Sequence, residues 1–156
     1  MVMPIDLVLV RHGESEGNLA HLRAADGDLS AFENCHFQNR HSSLWRLTDK
    51  GREQARITGE WLKENLGQFD SFYCSEFVRA METAALLHLP NAQWRTSLYI
   101  RERDWGKLDL LSHQQRKLLY ADDLERRRRD SFFFQPPDGE SMANVCLRVS
   151  RLINTL

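Results

Sequence analysis

Near its start the chain holds a short apolar run, Ile5-Asp6-Leu7-Val8-Leu9-Val10, which stops at a polar, glycine-bearing stretch, Arg11-His12-Gly13-Glu14-Ser15-Glu16-Gly17-Asn18. The run is rich in branched side chains and too short to span a membrane, so it predicts a strand buried on both faces. A strand that ends in a polar turn presents that turn at the carboxyl edge of a sheet, where α/β proteins place their sites.

The rest of the chain alternates in the same sense. Thr48 is a good N-cap for a helix running to about Leu66, with Ala55, Gly59, Leu62 and Leu66 as its apolar stripe. Phe69 to Cys74 predicts a second strand, Glu76 to Leu89 a helix stopped by Pro90-Asn91, and Ala92 to Ser97 a third strand. Residues 112–129 read as helical with a break near Ala121-Asp122-Asp123. Pro136-Pro137-Asp138-Gly139 is a turn, and Ser141 caps a last helix with Met142, Val145, Val149, Leu152 and Leu156 on one face. Residues 19–46 show no sustained period and read as a long loop with room for a helical turn, either one that covers a substrate or a surface excursion. Strands alternating with helices predict an α/β fold with a mostly parallel sheet covered on both faces.

At 156 residues the chain is long enough for one domain with a real core. Its net charge of −1 gives no global basic field for nucleic acid or an anionic membrane, so neither is expected as a partner. The basic run Arg126 to Arg129, flanked by Glu125 and Asp130, reads as a solvated helix face. The three cysteines, Cys35, Cys74 and Cys146, lie far apart. That spacing predicts no disulfide framework and no metal site, and places the protein in a reducing compartment, the cytoplasm. The N-terminal segment has no basic leader, so no signal peptide is expected.

Three post-strand segments carry charged groups: Arg11-His12, Ser75 to Arg79, and Arg101-Glu102-Arg103. A histidine, arginines and a carboxylate suit phosphoryl transfer. Guanidinium forks match phosphate oxygens, a neutral imidazole attacks phosphorus, and a carboxylic acid protonates the departing oxygen.

Residues Arg11 to Asn18 resemble the R-H-G-(E/Q)-(S/T)-x-x-N signature of the histidine phosphatase superfamily, in its phosphoglycerate mutase-like branch. Ser75 to Ala84 is similar to that branch's S-x-x-x-R-A-x-x-T-A helix start, Arg101 to Gly106 to its acid segment, and Pro137 to Ser141 to its P-G-G-E-S turn. The resemblance runs over nearly the whole chain. It implies a single domain over residues 1–156, folded as a three-layer α-β-α sandwich.

It also implies that His12 accepts the phosphoryl group, that Arg11 and Arg79 clamp it, and that Glu102 donates a proton. Ser15 and Asn18 match positions near the phosphate pocket, and Arg103 a position that contacts substrate. No cofactor is implied, and the substrate is a small phosphorylated molecule. The family places a second histidine on a strand after the last helix, yet no histidine follows His113. The resemblance therefore implies either a piece of a longer protein, truncated at its C-terminus, or a member without that partner.

Two features favour the phosphatase-like members over the mutases. His113 stands where mutases carry a lysine, and the passage from Phe132-Phe133-Phe134 to Ser141 is shorter than the mutase insertion. The expected reaction is phosphomonoester hydrolysis. The alternatives are a mutase-type transfer, with Arg128 and Arg129 binding a carboxylate, and a phospho-ligand binding module with little turnover.

Overall fold

A computed structural model describes residues 6–156. It shows a mixed α/β fold: a small parallel sheet accompanied by helices. Helix α1 is Glu16–Ala25, α2 is Ser30–Glu33 and α3 is Cys35–Gln38. Helix α4 (Asp49–Asn65) leads to strand β1 (Phe72–Cys74), helix α5 (Val78–Leu86) and strand β2 (Trp94–Thr96). Helices α6 (His113–Leu119), α7 (Ala121–Arg129) and α8 (Met142–Ile153) complete the chain.

These elements pack as two compact units, one of residues 6–19 and 43–101, the other of residues 20–42 and 102–156. In the first unit β1 and β2 pair in parallel, Phe72 opposite Trp94 and Cys74 opposite Thr96, with α5 as the crossover. Helix α4 starts at Thr48, whose hydroxyl accepts from the Gly51 N–H, as its sequence predicts. Its stripe buries Ala55, Gly59 and Leu62. Gly59 is where α4 meets the end of α5: a Cβ there would stand 2.1 Å from the Leu87 carbonyl oxygen. Trp45, Leu47, Phe77, Ala84 and Leu87 fill the rest of this core. The second unit buries Ala20, Phe32, Phe37, Leu108, Phe134 and Leu152. Its last helix is capped by Ser141, which exchanges hydrogen bonds with Asn144.

Two expectations are corrected. Asp6–Val10 forms no strand and is exposed, Leu9 at 84%; Ile5, which begins that run, lies outside the described residues. A strand needs a neighbouring chain for its N–H and C=O groups, and among the described residues neither β1 nor β2 pairs with this segment. Residues 19–46 are not a long loop. They hold most of α1, both short helices α2 and α3, and a 3-10 turn at Ser42–Leu44. Ala20, Leu22, Ala24 and Ala25 are strong helix formers, and Asn34 caps α3 by accepting from the His36 and Phe37 amides. The helical stretch 112–129 does break, at Tyr120.

Candidate active site

The turn Arg11 to Ser15 is held against α4 by close backbone contact. A Cβ on Gly13 would lie 2.2 Å from the Gly51 carbonyl oxygen, and one on Gly51 would lie 2.0 Å from the Glu14 carbonyl oxygen, so only glycine fits either side. Glu14 accepts the Thr48 backbone amide at 2.9 Å on its own carbonyl, and its carboxylate takes the Thr48 hydroxyl at 2.8 Å and Lys50 Nζ at 3.1 Å. The hydroxyl hydrogen bond, then the ammonium, hold the Glu14 carboxyl below the usual carboxylate range. Ser15 is buried and caps α1. Its hydroxyl accepts the Asn18 amide at 3.3 Å, while the Asn18 side-chain oxygen accepts from the Ser15 N–H and hydroxyl. Ser15 and Asn18, expected beside the phosphate, thus build the turn that carries His12.

On the other side stands α5. Gly13 N–H donates to the Thr83 hydroxyl at 3.2 Å, and that hydroxyl donates to the Arg79 carbonyl at 2.7 Å. Arg79 is buried in the first turn of α5, its guanidinium 4.7 Å over the Phe77 ring. Its Nε–H donates to His12 Nε2 at 3.2 Å, and His12 Nδ1 lies 2.7 Å from the Gly13 carbonyl oxygen. A carbonyl only accepts and an arginine Nε–H only donates. The pair of bonds therefore fits one tautomer, with the proton on Nδ1 and the lone pair on Nε2. Arg11 is exposed in the same unit and forms no ion pair among the described residues.

The acid segment belongs to the other unit. Glu102 is exposed. Arg103 Nε donates to the Glu140 carbonyl at 2.8 Å and its Nη2 to the Phe134 carbonyl at 2.8 Å. Its guanidinium lies 4.4 Å over the Trp105 ring, which Arg127 also approaches at 4.6 Å. Burial, then the Arg127 cation, lower the Arg103 pKa. Two of the nitrogens expected to meet substrate are thus bound to the backbone. In the basic run Arg126 pairs with Asp123 at 3.2 Å, and Arg128 and Arg129 share Glu125 at 3.3 and 3.2 Å. These are helix-spaced exposed pairs, the pattern of a solvated face.

One group in this unit escaped the sequence reading. Asp109 is half-buried and hydrogen-bonded to Ser42. Burial raises its pKa, the Ser42 hydrogen bond lowers it, and the negative charges of Asp104 and Glu102 raise it further. Arg116 offsets them in part, and its Nη2 lies 3.5 Å from His21 Nε2. Burial, then the Arg116 cation, push His21 down to about 4. No spacing rule joins His21 to Arg116, which stand 95 residues apart. Among the described residues no three His, Cys, Asp or Glu side chains could hold a metal ion, and no helix is long and apolar enough to cross a membrane.

The family model of the histidine phosphatase superfamily, branch 1, matches residues 7–156. The chain belongs to the histidine phosphatase superfamily. It is similar to the 2,3-bisphosphoglycerate-dependent phosphoglycerate mutase of Methylorubrum populi, 33% identical over 150 residues, covering 92% of this chain and 62% of that one. Its fold is that of a putative alpha-ribazole-5'-P phosphatase from Escherichia coli (TM-score 0.73, 24% identity, 93% of this chain and 63% of that one). A mycobacterial glucosyl-3-phosphoglycerate phosphatase shares the fold at TM-score 0.71 and 24% identity, over 94% of this chain and 64% of that one. The chain thus spans less than two thirds of the length of each of these histidine phosphatase relatives.

Proposed function

We propose that this chain carries the phosphoryl-transfer chemistry of the superfamily and acts as a phosphomonoesterase on a small phosphorylated substrate. The observation that carries the reading is the fixed tautomer of His12, whose Nε2 lone pair faces the buried Arg79 guanidinium 3.2 Å away. A phosphate entering beside Nε2 takes over the Arg79 hydrogen bond and frees the lone pair for attack. Arg11 supplies a second cation to the phosphate oxygens. The N–P bond forms at Nε2 as the P–O bond to the leaving alcohol breaks, and Glu102 passes its proton to the departing oxygen. Water then attacks the phosphorus and gives its proton to the Glu102 carboxylate. The N–P bond breaks and inorganic phosphate leaves. We place this reaction in the cytoplasm, where Cys35, Cys74 and Cys146 remain free thiols.

A mutase-type transfer is the second reading, favoured by the identity to the Methylorubrum mutase. The engagement of Arg128 and Arg129 with Glu125 counts against it, because those arginines were the carboxylate ligands it called for.

The test is incubation with p-nitrophenyl phosphate and trapping of an acid-labile, alkali-stable phosphoprotein. His12→Ala should abolish the trapped species and lower turnover by roughly three or more powers of ten. Equal turnover in the variant overturns the nucleophile. Phosphate binding without turnover in the unsubstituted chain replaces the enzyme by a phospho-ligand binding module.

A further inference from the structure

Helix α8 carries a charged residue on its buried side. Arg148 lies between the half-buried Val145 and the buried Leu152, and is itself buried. Its guanidinium grips the Glu140 carboxylate with two nitrogens, Nε to Oε1 at 3.1 Å and Nη2 to Oε2 at 3.0 Å. The side chains of this pair are only 10% and 15% exposed. Removing two charges from water to that extent is costly, and an apolar pair of similar size is often as stable. The pair's other contacts show what it holds. Arg148 Nη2 also donates to the Glu102 carbonyl at 3.3 Å. Glu140 Oε2 accepts the Asp104 N–H at 3.3 Å, and the Glu140 carbonyl accepts Arg103 Nε at 2.8 Å. The Glu140 N–H donates to the Asp104 carbonyl at 2.8 Å. Two residues thus hold three consecutive ones, Glu102, Arg103 and Asp104, while the Glu102 residue itself remains exposed.

We propose that Glu140 and Arg148 are positioning residues for the proton donor: their ion pair fixes the backbone from which Glu102 reaches the departing oxygen. The inference rests on Glu102 being that donor. A misplaced acid fails where the proton is needed, on basic alkoxide leaving groups, and is hardly missed on nitrophenolate. Binding of the phosphate does not depend on it.

The experiment compares Glu140→Gln, Arg148→Lys and the double variant Glu140→Leu/Arg148→Met with Glu102→Gln, on an alkyl phosphate and on p-nitrophenyl phosphate. Near-UV circular dichroism reports the fold, and the double variant leaves no buried charge unpaired if a single variant unfolds. Each variant should lose roughly 10- to 100-fold in kcat on the alkyl phosphate. Each should lose less than about threefold on the aryl phosphate, with KM unchanged, because the leaving nitrophenolate needs little protonation. Glu102→Gln should show the same selectivity more strongly. If Glu102→Gln is selective while the folded Glu140 and Arg148 variants lose both activities equally, or neither, the pair is only structural and the proposal falls. If Glu102→Gln is itself unselective, the donor assignment falls and takes this proposal with it.

Discussion

The turn that carries His12 and the segment that carries Glu102 are held by different forces. Around His12 the contacts are short and mostly neutral: glycine against glycine, a threonine hydroxyl between an amide and a carbonyl, and a serine cap under α1. Around Glu102 they are ionic: a buried arginine–glutamate pair, a guanidinium over Trp105, and the charges of Glu102 and Asp104 close enough to raise the proton affinity of Asp109. In the proposed reaction the nucleophile must aim one lone pair, and steric packing defines direction well. In that reaction the acid must hold a proton until it is needed, which charge, desolvation and hydrogen bonding set.

The sharpest way to break the first kind of support is Gly13→Ala. The new methyl meets a backbone carbonyl at 2.2 Å, which no side-chain rotation relieves. The turn must move off α4, at a cost of about 2–4 kcal/mol. It carries His12 with it, so phosphohistidine formation should fall on the order of 100-fold. Thermal unfolding and trapping of the phosphoprotein check the two effects. A variant with native melting and native phosphorylation would show that the glycine contact is slack.

Thr83→Val probes the same support more gently. Valine keeps the shape but leaves the buried Gly13 N–H without its acceptor, which costs about 1–3 kcal/mol. Thr83→Ser, which keeps the hydroxyl, should recover most of that loss in a denaturant titration. Equal losses in the two variants would assign the effect to packing instead of the hydrogen bond.

The contrast also decides what could be read beforehand. The His12 turn is legible because its parts are contiguous: a histidine, the glycine that follows it, and a serine three residues before its asparagine. Helices α4 and α8 are legible because a capping residue and an apolar stripe are local properties. Asp6–Val10 misled because an apolar run states a preference for burial but cannot supply the neighbouring strand. Residues 19–46 misled because their helices are short, and periodicity needs several turns to show. Arg148 leaves only a faint trace, a charge at helical spacing between Val145 and Leu152. The Ser42, Asp109, Arg116 and His21 group left none, because pairs so distant in sequence meet only through the fold.

That last group offers the smallest and most selective test. His21 packs at a tilt on Phe32 with ring centroids 5.0 Å apart and faces Arg116, whose charge Asp109 partly compensates, with Glu102 and Asp104 acting on Asp109 in turn. Its pKa falls to about 4 in the folded chain, against about 6.5 when unfolded. The unfolded chain therefore binds a proton between those values while the folded chain does not. By linkage, stability is lost as pH falls from about 6.5 toward 4, and the loss levels off below that. Screening at this partly exposed ring limits the effect to on the order of 1–2 kcal/mol. Asp109 acts with the opposite sign: its raised pKa makes the folded form take up a proton first, which relieves a penalty at the acid end. His21→Phe keeps an aromatic ring against Phe32 and removes the titration. Its stability should stay flatter between pH 6.5 and 4, and Asp109→Asn should make the acid loss steeper than in the unsubstituted chain. Both changes should appear in urea titrations across that range, while the His12 turn, whose contacts are mostly neutral, responds to neither. Parallel curves for the unsubstituted chain and His21→Phe would show that the ring is hydrated and that its neighbours set no pH dependence.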